Sequence, residues 1–571
     1  MKFASFLNLS FNIRIALAWL VLFMVSLLSR SFVPIDETRY VTVAWNMYQS
    51  GQYVVPYLND IAYSHKPPLL FWLINLGWHL FGVSDWWARM VPAIFGLGAM
   101  LLTRSIALRL WPASTQSNGE NKIAERAAWI LLSTSIWAVF STATMFDMMV
   151  AFFTTLGMLG LILAIQGLGL RAWGIFALAI AGGLLAKGPT ILLQLLPVAI
   201  LMPWVMATSW PYPSKRVWYG PLFLATLAGI LILLMWAIPA GILGGAQYQH
   251  EIFWGQTAER MVNSFAHQRP IYWYLQMSIV ILFPWIWLGQ SWRSWTHAWQ
   301  SRQQASVRFC WVWALPVLFA FSLISGKQMH YLLPILPALS LLLAFGWQGV
   351  ADSKSANHHD KELFSWGSLA LSGMVFAVGL ALLNIQELSG QHRLPAWVLA
   401  IQPWVAWSLL LSALWYQIAN PLRPKDLFVR SSMLGILLFV IGMTGVVRAT
   451  GQAYDMRGIS AYLGKLEQSG VALGNVGDYH GQYNFIGRLK RSPEQLEEKQ
   501  VMAWFQRHPQ GRIVIYLDNF DLGNIQPEYT QLYRGISLAL IDQAQWQAWL
   551  EQRSHRRKAA QHKKSEDMNA D

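Results

Sequence analysis

Apolar runs long enough to cross a bilayer recur along this chain, near 12–33, 88–110, 124–143, 146–166, 171–187, 188–208, 219–242, 271–291, 307–325, 330–350, 363–385, 395–418 and 428–449. A helix needs about 20 apolar residues to span a hydrocarbon core of about 30 Å. About thirteen such runs exceed what one water-facing domain can bury. In lipid the backbone must satisfy its own hydrogen bonds, which helices do within each segment. The sequence therefore predicts an all-α polytopic membrane protein with about thirteen transmembrane helices.

Charge content agrees. Only 12% of residues are charged, against roughly 25% in soluble domains. The 32 Trp suit a protein with many helix ends at membrane interfaces. Clusters such as 285–287 read as interface belts or packing. The net charge of +14 does not indicate nucleic acid, because Lys and Arg fall between the apolar runs, as cytoplasmic loops require. The single Cys, Cys310, sits in an apolar run and reads as a packed thiol. The first apolar run has no small-residue cleavage motif after it and reads as an anchor.

Basic residues set the orientation. With the N-terminus inside, one set of loops carries Lys122 and Arg126, Arg171, Lys215 and Arg216, Arg293 and Arg302, Lys354 and Lys361, then Arg423 and Lys425. Every loop in this set is basic. The opposite, outer face then holds two long loops, 34–87 and 243–270. From about 451 polar residues and Gly rise and no spanning run follows. Segments 471–476, 512–517 and 535–541 read as strands, with helices near 493–508 and 543–553. The expected organisation is a membrane domain over 1–450, a small outer α/β domain over 451–553 and a disordered polar tail over 554–571.

The first outer loop is the most informative. Asp36 can cap a helix in which Tyr40, Val43, Ala44, Met47 and Tyr48 recur at helical spacing up to Gly51. A second helix starts at Pro67 or Pro68 and runs to Gly82. Asp36 and Arg39, three apart, share a face. Taken alone, each residue has a plain reading. Asp36 and Asp147 are helix caps, Arg39 is an interface anchor, and Lys66 and Lys187 are helix-end cations. Lys187 stands out because it interrupts an otherwise continuous apolar stretch. Glu37, Glu259 and Lys327 carry a weaker signal still. Gly182-Gly183 permits close helix packing.

The order of motifs carries a resemblance. Asp36-Glu37-Thr38-Arg39-Tyr40 is followed by Ser50-Gly51-Gln52-Tyr53-Val54-Val55-Pro56, Leu58-Asn59, Tyr63 and Lys66-Pro67-Pro68-Leu69-Leu70-Phe71-Trp72. Thr144-Met145-Phe146-Asp147, Ala186-Lys187-Gly188, Glu259-Arg260, His267 to Tyr274, Ser325-Gly326-Lys327 and Tyr331-Leu332-Leu333-Pro334 come after it in turn. Over roughly 12–350 the chain resembles the lipid A aminoarabinose transferases and the protein mannosyltransferases. These are glycosyltransferases of the GT-C fold that use polyprenyl-phosphate sugars.

The resemblance implies an inverting glycosyltransferase of the cell inner membrane, with its active site and C-terminal domain on the periplasmic face. The expected partners are a polyprenyl (undecaprenyl) phosphate sugar donor, lipid A or another envelope acceptor, and membrane lipids, with no nucleic acid. It implies Asp36 as the catalytic carboxylate and Asp147 as a second acidic group. Arg39, Lys66, Lys187 and Arg260 would hold the donor phosphate, with Tyr40 and Tyr331 as neutral helpers. Aminoarabinose transfer to lipid A is the first expectation. A mannosyl or other glycosyl transfer to protein or another envelope glycan is the alternative.

The family also implies a structural divalent metal. This chain departs there, with His65 where Glu is usual and Gln256-Thr257 where Glu-His stands. No cofactor is expected to be required, and His65 is left as the weak metal candidate. A flippase or transporter of lipid-linked sugars is the competing class. It would place ionisable groups at the centres of spans or pair its halves, and the sequence shows neither.

Overall fold

A computed structural model of the chain describes residues 10–112, 121–206, 215–259, 268–352, 358–387, 394–418, 424–517, 522–523 and 525–554. Arg260 and the tail from 555 lie outside the described residues. Nine described helices are long and apolar enough to cross a membrane. They include α1 (Phe11–Ser29), α4 (Asp85–Leu110), α7 (Asp147–Ile165) and α8 (Leu170–Lys187). The remaining four apolar runs are also helical but shorter or interrupted.

Two of the interruptions meet. The run 124–143 divides into α5 (Lys122–Ser133) and α6 (Ser135–Phe140), and the run 271–291 divides after Trp273–Ile281. The amide of Ser135 donates to the Phe283 carbonyl at 3.0 Å. Trp285, which follows that break, is buried against Trp347 and Phe428. This tryptophan therefore packs the core and is no part of an interface belt. Broken backbone is tolerated in such a bundle where another protein segment satisfies it.

Helix α7 packs on α4, α8 and the turn Met329–Ile335. Gly182 of α8 makes that approach possible: a Cβ there would lie 2.1 Å from Phe153 Cε1. Cys310 is a buried free thiol, as its apolar setting suggested.

Between α1 and α4 lie α2 (Asp36–Ser50), the two-residue strands β1 (Tyr57–Leu58) and β2 (Ile61–Ala62), and α3 (Leu69–Phe81). Gly51 closes α2 in the left-handed region, at φ 68°, and its amide donates to the Met47 carbonyl. Proline at 68 precedes α3 and Gly82 ends it. The C-terminal ends of both helices thus follow their sequence signals.

The C-terminal part holds β3 (Leu473–Val476), β4 (Glu494–Leu496), β5 (Arg512–Tyr516), β6 (Tyr529–Tyr533) and β7 (Ile536–Ile541), in the order β4-β3-β5-β7-β6. Strand β3 runs parallel to both neighbours, while β7 is antiparallel to β5 and β6. Both faces of the sheet are covered. Ile513 and Ile515 pack with Trp504 and Trp546 on one side. Val514 and Tyr516 pack with Ile459 and Leu463 on the other. A strand buried on both faces has no alternation, which is why β5 reads as one apolar run. Strand β4 falls where the sequence suggested the start of a helix over 493–508, which begins only at Val501, and β6 went unread because its middle is polar.

Candidate functional site

The first turn of α2 presents Asp36, Glu37, Arg39 and Tyr40. Asp36 is not a cap. The helix begins at Asp36 itself, and no side chain caps its N-terminus. Its carboxylate instead pairs with Arg39, and the Tyr40 hydroxyl lies 3.4 Å from Asp36 Oδ1. The Asp36 side chain is 47% exposed, so it is open to a second molecule.

Glu37 turns the other way and is 4% exposed. Arg30 grips it with both terminal nitrogens, one of them at 3.1 Å. The amides of Val33 and Thr144 donate to it at 2.8 and 2.6 Å. Arg30 also donates to the Thr142 carbonyl at 2.8 Å, and Arg89 to the Arg30 carbonyl at 2.8 Å. Burial opposes ionisation of Glu37, but Arg30, then Arg89 and the Thr144 amide, outweigh it and hold the carboxyl below the ordinary 4.5. This network bolts the start of α2 to the segment that leads into α7. Sequence reading gave Glu37 little weight because nothing local shows which arginine will meet it.

Asp147 opens α7 and, like Asp36, does not cap it. Lys187 at the end of α8 donates to Asp147 Oδ1 at 2.5 Å, and His330 Nε2 stands 3.9 Å from the same oxygen. The ammonium of Lys187 also lies 4.6 Å from the Tyr331 ring centroid. Asp147, Lys187 and Tyr331, drawn from three distant motifs, therefore form one cluster. His330 is a member that sequence reading missed. Its only signal was a lone imidazole in an apolar run beside Tyr331.

Tyr40 joins the two clusters. Its ring packs edge-on against Phe146 at 4.9 Å, next to Asp147 in sequence. Burial first, then Asp36 and other neighbours including Asp147, push its phenol well above the usual range. Tyr40 therefore stays a neutral hydroxyl at physiological pH. Lys66 lies before α3, with its ammonium donating to the His65 carbonyl at 3.2 Å, and its charge bears on Asp147 and His330. Lys327 is caged: its ammonium donates to the Arg269 and Ile324 carbonyls at 2.9 and 2.6 Å. It ties the second long loop to the segment leading to Tyr331.

His65 is exposed, its ring tilted against that of Tyr63 at 5.1 Å. Among the described residues no three His, Cys, Asp or Glu side chains gather closely enough to hold a metal.

Two carboxylates, each paired with a cation, thus flank a neutral phenol, with a further lysine nearby. Such a site can hold an anionic leaving group on its cations and orient an incoming oxygen with a carboxylate. The dolichyl-phosphate-mannose-protein mannosyltransferase family model matches residues 6–254. The chain is similar to an undecaprenyl phosphate-alpha-4-amino-4-deoxy-L-arabinose arabinosyl transferase 2 of Pseudomonas fluorescens (strain Pf0-1), with 29% identity over 82% of this chain and 86% of that one. A transferase with the same description, from Pectobacterium carotovorum subsp. carotovorum (strain PC1), is 30% identical over 64% of this chain and 63% of its own. In three dimensions the chain is similar to ArnT of Cupriavidus metallidurans bound to undecaprenyl phosphate. The TM-score is 0.68 at 18% identity, covering 92% of this chain and 97% of the other. The apo form of that protein gives a TM-score of 0.70. At that identity the structural likeness establishes the fold.

Proposed function

We propose that this chain is a membrane glycosyltransferase that takes a sugar from a lipid-phosphate donor, as its likeness to the aminoarabinose transferases and the mannosyltransferase family model supports, and that it transfers 4-amino-4-deoxy-L-arabinose from undecaprenyl phosphate to a phosphate of lipid A. On this reading the reaction runs at the periplasmic face of the inner membrane. The observation that carries this reading is the pair of carboxylate–cation couples, Asp36 with Arg39 and Asp147 with Lys187, on either side of Tyr40.

In the proposed reaction an acceptor oxygen attacks the anomeric carbon as the bond from that carbon to the donor phosphate breaks. The bonding electron pair stays on the phosphate, which leaves as undecaprenyl phosphate, and the anomeric centre inverts. Arg39, Lys66 and Lys187, with Arg260 from the family pattern, stabilise the charge that gathers on the leaving phosphate, with Tyr40 and Tyr331 as neutral donors. Fixed donors aimed at developing charge each contribute about 3–4 kcal/mol. The half-exposed Asp36 orients the acceptor, while buried Asp147 holds Lys187 in place. A lipid A phosphate is already ionised near neutral pH, so no proton transfer to Asp36 is needed. Arg39 then offsets repulsion between Asp36 and the incoming anion.

The match to a protein mannosyltransferase family supports a second reading. There the acceptor is a hydroxyl of a protein or another envelope glycan, and Asp36 takes its proton as general base.

Mass spectrometry of lipid A and total glycolipid from cells with and without the protein tests the proposal. The expected result is a mass increment on lipid A that wild type restores and Asp36→Asn does not. Unchanged lipid A overturns the first reading and directs the search to glycoproteins and other glycans.

A further inference from the structure

In α/β sheets ligands sit beyond the carboxyl ends of parallel strands. Strand β3, parallel to both neighbours, leads at that end into the segment 477–483. This segment lies on the membrane part beside α2. The Asn59 amide donates to the Tyr479 carbonyl at 2.6 Å, and the Thr42 hydroxyl to the Gly481 carbonyl at 2.7 Å. Gly481 is left-handed, at φ +75°, and a Cβ there would come within 2.8 Å of Thr42 Cγ2. The loop is therefore pinned to α2 and to the β1–β2 turn.

His480 stands between those two pinned carbonyls. Its amide donates to Gln482 Oε1 at 2.6 Å. Its imidazole is half-buried yet makes no hydrogen bond to any described residue. The charges facing it come from three segments: Arg39 and Asp36 of α2, Asp478 of its own loop, and Arg534 from the turn between β6 and β7. Arg534 is exposed, and its amide donates to the Ala453 carbonyl at 2.7 Å. The loop is thus clamped on both sides of a half-exposed imidazole that no described side chain engages, and it presents that imidazole beside Asp36 and Arg39.

We propose that this loop is the acceptor-side wall of the transfer site, and that His480 and Arg534 hold an anionic group of the acceptor, a phosphate, beside Asp36. The inference rests on the glycosyl-transfer reading and adds a soluble-domain subsite to it. Burial, then Arg39, keeps the imidazole below its ordinary 6.5, so at neutral pH it acts as a hydrogen-bond donor while Arg39 and Arg534 supply charge. The donor's phosphate stays with Lys66 and Lys187, and Arg39, paired with Asp36, serves both phosphates.

The test uses the full-length protein in nanodiscs, with undecaprenyl-phosphate aminoarabinose as donor and diphosphoryl lipid A as acceptor. His480→Ala and Arg534→Gln should each raise the acceptor KM by about tenfold, the weight of roughly one hydrogen bond to a charged group. The donor KM should stay within about twofold, and His480→Gln should recover part of the loss. An unchanged acceptor KM in both variants, or donor and acceptor KM rising together, overturns the subsite while leaving the transferase reading intact. If His480→Ala fails to fold, exposed Arg534 carries the same test. Absence of transfer to lipid A by the wild-type protein overturns the functional reading, and this inference with it.

Discussion

Glu37→Ala strands a guanidinium. Arg30 is 8% exposed in its side chain and Glu37 is 5%, so neither group can turn to bulk water when the other goes. Removing one partner of such a buried pair costs about 3–5 kcal/mol. The Val33 and Thr144 amides also lose their acceptor. At ordinary unfolding entropies per residue, a chain this long should lose about 3–4 °C of melting temperature. Glu37→Gln keeps one acceptor oxygen and should cost about half as much. Because Thr144 lies three residues before Asp147, the same cut loosens Asp147 relative to Asp36. A displacement near 1 Å can cost about a hundredfold in rate, so transfer should fall with stability although Glu37 touches no substrate. The assay is scan-rate-matched melting in detergent, paired with transfer kinetics. The pH dependence has a defined sign. The Glu37 carboxyl is held below its ordinary 4.5 in the folded protein, so its contribution is fully present above that pH and lost as pH falls through the folded value. The gap between wild type and Glu37→Gln should therefore narrow below about pH 4.5. A Glu37→Ala protein that melts within a degree of wild type and transfers at full rate would refute the bolt.

Asp36→Asn should behave in the opposite way. Its half-exposed carboxylate strands no buried charge, so melting should hold while transfer falls by about a hundredfold, the weight of lost acceptor positioning, read by single-turnover kinetics. Lys187→Ala should lose both properties: Asp147 is left buried without its cation at a cost of about 3 kcal/mol, and donor affinity measured with undecaprenyl phosphate should drop. Lys187→Arg should recover stability more than rate. Exhaustive treatment with a divalent chelator should leave transfer unchanged. Activity lost to the chelator and restored by a metal would refute the fit drawn around His65.

Much of the site was legible in the sequence as a roster and little of it as a geometry. The motifs carried Asp36, Arg39, Lys66, Asp147, Lys187 and Tyr331 in order. They did not show that Asp147 faces Lys187, since that pairing spans 40 residues. Local reasoning even favoured a cap for Asp36 and left Asp147 open between a cap and a catalytic role, because an acidic residue at a helix start is often a cap. His330 and Arg30 escaped notice because an imidazole or guanidinium has no periodicity of its own. His480 escaped for a further reason: it follows a short strand, and its neighbours Thr42 and Asn59 are more than 400 residues away in the chain.

What the sequence by itself determined is what the bilayer demands of each segment separately: its length and its apolarity. Those demands are local, so the succession of apolar runs, the long first loop and the change of composition near 451 could be read directly. The tertiary structure alone decided where helices break and which charges meet. The helix can restart at Ser135 because the Phe283 carbonyl receives its amide, and Glu37 is fixed because Arg30 and Thr144 converge on it. Hydrogen bonds and ion pairs act over about 3–4 Å between atoms, and only the packed bundle brings residues that are distant in the chain within that range.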